Sequence, residues 1–145
     1  MTGTFIFDQP IARDFVEARQ AFLQKILPPM KAALDLRNAI DVGCGVGYFS
    51  EFLREMGFAV TAVDGRDENI TEANLRHADI NFQVRNVEDL RIRELGSFDL
   101  VLCFGLLYHL EHPMLAFRNL HPLTNKLLLI ESACVPQRGI DLLHA

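Results

Sequence analysis

Residues Asn38 to Asp64 read NAIDVGCGVGYFSEFLREMGFAVTAVD. Ala39 to Val42 has the character of a short buried strand. Glycines follow directly at Gly43, Gly45 and Gly47, and Tyr48 to Met56 then has helical spacing, burying Phe49, Phe52, Leu53 and Met56. Gly57 is placed to stop that helix. Phe58 to Val63, rich in β-branched and aromatic residues, predicts a second strand that ends at Asp64-Gly65. Strand, glycine turn, helix, strand and terminal acid form the pattern by which an α/β protein brings a nucleotide-like ligand against its backbone. The spacing is G-x-G-x-G, not the G-x-G-x-x-G of nicotinamide enzymes. Asp64 stands about 20 residues beyond the glycines, where a carboxylate can accept from the hydroxyls of a ribose.

Outward from this stretch, strands and helices keep alternating. On the N-terminal side, Ile11, Phe15, Ala18, Phe22 and Ile26 predict one apolar face of a helix over Asp8 to Leu27. Asp8 is read as its cap and Pro28-Pro29 as its end, with a shorter helical piece over Met30 to Leu36. On the C-terminal side, Asp67 to His77 predicts a helix with Glu68, Glu72 and Arg76 on an exposed face. Ile80 to Arg85 predicts a third strand and Asn86 to Gly96 a loop. Phe98 to Phe104 is the strongest strand signal, an apolar run broken only by Asp99. A helix from Pro113 carrying Met114, Phe117 and Leu120 and a fifth strand over Lys126 to Ile130 complete the pattern.

The implied fold is α/β: a doubly wound, mostly parallel, Rossmann-like sheet of about five strands with an N-terminal helix. One domain over 1–145 is expected, with an N-terminal helical segment (1–37), a cofactor-binding core (38–131) and a tail (132–145). The chain has 145 residues, half of them hydrophobic and 23% charged, which supports a real core and argues against disorder. No apolar run has the length of a membrane span and no secretory signal is read at the start. Cys44, Cys103 and Cys134 form no close pair or metal cluster and read as reduced thiols, Cys44 filling the turn and Cys103 the core. A cytoplasmic protein without a metal is expected. Fourteen Lys+Arg against nineteen Asp+Glu disfavour a broad nucleic-acid surface.

Ile40 to Ser50 (IDVGCGVGYFS), Ala62 to Asp64, Asn86 to Leu90 (NVEDL) and Phe98 to Leu110 (FDLVLCFGLLYHL) together resemble the class I S-adenosylmethionine-dependent methyltransferases. The resemblance implies S-adenosylmethionine as cofactor and S-adenosylhomocysteine as product. It implies that Asp41 meets the methionine amino group, directly or through water. The turn with Gly43, Cys44, Gly45 and Gly47 would line the methionine tail and sugar. Asp64 with Gly65 would hold the ribose. Asn86 and Val87 would lie beside the adenine, with Asn86 where the family commonly has an acid and Glu88 or Asp89 as alternative readers. Phe104 and Gly105 would border the sulfonium end.

For the acceptor, Tyr108 and His109 are the candidate catalytic residues just past the fourth strand: a histidine can take a hydroxyl proton and a tyrosine can position or stack on a ring. Glu131 either contacts substrate or is a solvated strand-end acid. The expected activity is methyl transfer to an oxygen or nitrogen of a small-molecule or sugar-like acceptor. Two alternatives stand beside it: a catalytically reduced cofactor-binding module, and a tRNA-modifying methyltransferase suggested by Gly105 to Pro113. The family usually has seven strands, and the last two are missing from the pattern here. That leaves the fifth strand as an edge, through which (or through the tail) a homodimer is expected.

Overall fold

The computed structural model describes residues 5–133. In chain order its elements are α1 (Pro10–Leu34), β1 (Asn38–Val42), α2 (Tyr48–Glu55), β2 (Ala59–Asp64), α3 (Asp67–Arg76), β3 (Asn81–Val84), β4 (Phe98–Phe104), α4 (Pro113–Leu123) and β5 (Thr124–Glu131). Short 3-10 turns lie at Ile6–Asp8, Leu90–Leu95 and Leu107–His109.

All strand pairs are parallel and the sheet order is β3-β2-β1-β4-β5. The chain winds outward from β1 through β2 to β3, then returns to add β4 on the other side of β1. The winding direction therefore reverses between β1 and β4, which opens a crevice at their carboxyl ends.

Parallel strands covered on both faces need apolar side chains on both. All seven residues of β4 are buried. Leu100, Leu102 and Phe104 pack with Leu23 and Leu27 of α1 and Leu53 of α2. Val101 and Cys103 pack oppositely, with Ala116, Leu120 and Leu123 of α4. Asp99 interrupts the run for a reason. Its carboxylate accepts from the Arg37 N–H (2.9 Å) and from Asn125 Nδ2 (3.1 Å), tying the starts of β1, β4 and β5 together.

The N-terminal helix departs from expectation in two ways. It runs through Pro28 and Pro29 to Leu34 and ends on Asp35 in the left-handed conformation. The two prolines remove backbone donors toward the Gln24 and Lys25 carbonyls. Those four residues are all exposed, so water can serve the freed carbonyls, while buried Leu23 and Leu27 hold the helix to the sheet. Its buried face also differs from the one expected. Leu23 and Leu27 face the core, whereas Ile11, Phe15 and Phe22 are more than half exposed. In α4, likewise, Leu120 is buried but Met114 and Phe117 are exposed.

Candidate functional site

The glycine turn leaves β1 under constraint. Gly43, Gly45 and Gly47 all have positive φ (80°, 55° and 96°), a region other residues enter only with strain. The N–H groups of Gly43 and Cys44 both donate to the Val63 carbonyl at the end of β2, at 2.8 and 3.0 Å. The Gly45 N–H donates to Asp64 Oδ2 at 3.0 Å, and the Gly47 N–H returns to the Cys44 carbonyl. Four of the turn's donors are thus consumed within the protein. The glycines are also packed against: a Cβ on Gly43 would stand 2.9 Å from Leu106, one on Gly45 2.9 Å from Phe7, and one on Gly47 2.8 Å from His77.

Asp64 is a fixed acceptor. Besides Gly45, its carboxylate takes the Arg66 N–H (2.9 Å) and Asn69 Nδ2 (3.1 Å), both on Oδ1. A carboxylate offers about four lone-pair positions. Three are used, so one position on Oδ2 remains for a ligand hydroxyl without displacing a protein donor. Gly65 beside it is exposed, with open space where a Cβ would project.

Asp41 lies under the turn, 2% exposed, and accepts from Ser50 Oγ at 2.7 Å. Burial, with the nearby Asp64 charge, pushes its pKa up to about 7. Cys44 is buried in the turn and burial raises its pKa, while the Cys103 thiol is pushed up to about 12 by burial. Both are therefore poor nucleophiles at neutral pH. Cys134 lies outside the described residues.

At the end of β3, the Asn86 side chain is exposed and its Oδ1 caps the Glu88 N–H at 2.9 Å. Glu88 accepts from the His112 N–H at the start of α4, and Asp89 is engaged by Arg91 at the start of the Leu90–Leu95 turn. Val87 points into the core, and its carbonyl accepts from Asn119 Nδ2 at 2.8 Å.

At the ends of β4 and β5, Phe104 is buried and meets Phe49 edge-on, with ring centroids 5.8 Å apart. The Gly105 N–H donates to the Glu131 carbonyl at 3.2 Å. Tyr108 and His109 are exposed, with ring centroids 4.3 Å apart. Arg19, which gave no signal in the sequence, reaches this corner from α1. Its Nη2 lies 3.0 and 2.9 Å from the two carboxylate oxygens of Glu131. Only Oε1 receives an aligned hydrogen bond; Oε2 is a buried atom without a donor. Arg19 Nη1 and the Tyr108 hydroxyl both come within 3.4 Å of the position a Cβ on Gly105 would take.

The structure therefore gathers Asp41, the glycine turn and Asp64 at one end of the crevice. Gly105, Tyr108, Arg19 and Glu131 lie at the other. Among the described residues, no group of three or more His, Cys, Asp or Glu side chains is arranged to hold a metal ion. No helix there is long and apolar enough to cross a membrane.

A doubly wound parallel sheet, with a glycine turn at its switch point and an acid ending the next strand, defines a nucleotide-cofactor-binding α/β protein. Comparison with known sequences narrows this class. The methyltransferase domain profile matches residues 40–126, more than half of the chain, and the chain belongs to that methyltransferase family. The ubiquinone biosynthesis O-methyltransferase of Xanthomonas campestris pv. campestris is 34% identical over 113 residues, which cover 75% of this chain and 42% of that protein. The chain thus spans less than half the length of this curated relative. Among solved structures, magnesium protoporphyrin IX methyltransferase from Synechocystis PCC 6803 with bound SAM superposes with a TM-score of 0.66 at 22% identity, over 90% of this chain and 64% of that one. The N-terminal domain of EvdMO1 with SAH bound gives a TM-score of 0.57 at 25% identity, over 72% and 43%.

Proposed function

We propose that the chain binds S-adenosylmethionine and transfers its methyl group to an oxygen of a small-molecule acceptor. The observation that carries the cofactor reading is the state of the glycine turn. The donors of Gly43, Cys44, Gly45 and Gly47 are already satisfied internally. Those four donors are not available to a pyrophosphate, whose binding depends on free N–H groups. What faces the ligand is acidic: Asp64, with one acceptor position open. This suits a nucleoside with a cationic tail and no phosphate, and it disfavours a nicotinamide dinucleotide.

In this reading Asp64 holds a ribose hydroxyl and Asn86, exposed beside it, reads the adenine. The cofactor supplies a methyl group already activated on a cationic sulfonium. The protein's task is to orient an acceptor in line with that bond and to exclude water, which can be worth on the order of 7 kcal/mol or more. Glu131 is the acceptor-side base candidate we favour over exposed His109, because its Oε2 receives no aligned hydrogen bond; Arg19, 2.9 Å away, orients the carboxylate. Tyr108 positions the acceptor at the rim. The choice of oxygen follows the relative's O-methyltransferase activity. Among the described residues β5 is the outermost strand on its side of the sheet, which supports a homodimer through that edge; a strict monomer in sedimentation at high concentration would remove that part of the reading.

The test is thermal stability with S-adenosylmethionine, S-adenosylhomocysteine and NAD in parallel. A ligand at 100 times its dissociation constant adds about 2.7 kcal/mol. Both sulfur ligands are expected to stabilise and NAD not; stabilisation by NAD alone would overturn the reading. Asp64→Ala is expected to weaken S-adenosylhomocysteine binding by about 1.5–3 kcal/mol, the range for a charged hydrogen bond.

A further inference from the structure

Residues 5–8 form a strap over the glycine turn. Phe7 is seated on the bare face of Gly45: its Cζ lies 2.9 Å, and two other ring carbons 3.2 Å, from where a Cβ on that glycine would stand. Leu106 lies in the same way against Gly43. Phe7 and Leu106 thus cover the bare faces of Gly45 and Gly43.

Among the described residues, little else holds the strap. None of the residues in its 3-10 turn is buried, and Ile6 is 65% exposed. Its anchor is Asp8. That carboxylate receives Arg76 Nη1 at 2.9 Å and Nη2 at 2.8 Å, and the Tyr48 hydroxyl at 2.7 Å. Arg76 is itself oriented by Glu72 through Nε, and its guanidinium lies 5.7 Å from the Phe5 ring centroid and 5.9 Å from that of Tyr48. Hydrogen bonds from Arg76 and Tyr48 hold the Asp8 pKa down at about 2, so the latch is charged throughout the physiological range. A segment with few buried contacts and one polar anchor belongs to the part of a fold that opens locally at small cost.

We propose that Phe7 is a plug on the cofactor site, held by a latch of Asp8 with Arg76 and Tyr48, and that cofactor uptake requires the strap to leave Gly45. The proposal rests on reading the glycine turn as the cofactor site. Apparent affinity then equals intrinsic affinity reduced by the fraction of molecules with the strap open. Breaking the latch raises that fraction and tightens binding. The device regulates access and leaves the methyl-transfer groups untouched.

The test compares the wild-type chain with Asp8→Ala and Phe7→Ala in two measurements. Titration with S-adenosylhomocysteine in a calorimeter is expected to show about tenfold tighter binding for both variants. Weaker or unchanged binding would overturn the plug, weaker binding making Phe7 a cofactor contact instead. Ligand-free chymotrypsin cleavage after Phe5 and Phe7, followed by mass spectrometry under native conditions, is expected to be several-fold faster in Asp8→Ala. Equal cleavage would overturn the latch whatever the titration shows. If neither wild type nor variants bind S-adenosylhomocysteine, the cofactor reading and the plug fall together, and cleavage alone decides whether Asp8 secures the strap.

Discussion

The two ends of the crevice are built differently. The end at β1 and β2 is held by backbone: three glycines at positive φ, two N–H groups on the Val63 carbonyl, and Asp64 fixed by three donors. The end at β4 and β5 is held by side chains: the Arg19–Glu131 pair, exposed Tyr108 and exposed His109. A backbone-built end tolerates few substitutions, because φ and ladder geometry leave few choices. A side-chain-built end can be refitted without disturbing the sheet. A protein that keeps one cofactor and varies its acceptor needs that division.

The comparison is tested most severely at Asp41, where the expected effect is largest. Burial pushes its carboxyl from the ordinary aspartate value of 3.8 up to about 7. The native state therefore keeps a proton that the unfolded chain releases. The sign follows directly: stability falls as pH rises from about 4 to about 7 and levels off above. The cost reaches on the order of 4 kcal/mol above that window. Asp41→Asn removes the ionisation and keeps an acceptor for Ser50. It is expected to unfold at higher denaturant than wild type at pH 8, with the two converging near pH 4. Parallel pH curves would show that burial is not what governs this carboxyl.

The next effect concerns the turn itself. Gly47→Ala places a Cβ at φ 96°, 2.8 Å from His77 and 3.0 Å from Phe82. Left-handed strain costs about 1–2 kcal/mol and overpacking about 1–3 kcal/mol. Urea unfolding is expected to show a loss of about 2–5 kcal/mol. A loss below about 1 kcal/mol would mean that this end is less rigid than its hydrogen bonds imply.

The same division explains what could be read from the sequence. Phe98–Phe104 was legible end to end, because seven buried positions in a row leave an apolar run that needs no partner to recognise. Gly43, Gly45, Gly47 and Asp64 were legible because local backbone demands specify residue types. The strap was not: Asp8 resembles a helix cap in sequence, and its partner Arg76 is 68 residues away. Arg76 correspondingly reads as a surface residue on α3. Arg19 was invisible for the same reason, since a lone arginine on an amphipathic helix carries no mark of the Glu131 it meets 112 residues later. The buried face of α1 was misplaced because apolar residues lie on more than one side of it. Only the sheet decides that Leu23 and Leu27 turn inward.

The smallest expected effect on stability falls on the acceptor end, and it separates the two ends most cleanly. Arg19 and Glu131 are partly exposed, at 23% and 34% of their side-chain surface, and pairs of this kind contribute about 0–1 kcal/mol. Glu131→Gln removes the charge but keeps the shape. Chemical denaturation is expected to shift by less than about 1 kcal/mol, and S-adenosylhomocysteine affinity to stay within about twofold. A general base contributes typically 10²–10⁴-fold to rate. With any acceptor found in a screen of hydroxylated small molecules, kcat is therefore expected to drop about a hundredfold or more, while cofactor binding is retained. The loss should shrink as pH rises and the acceptor ionises without help. A drop in S-adenosylhomocysteine affinity as large as that of Asp64→Ala would place Glu131 in the cofactor end and erase the distinction between the two.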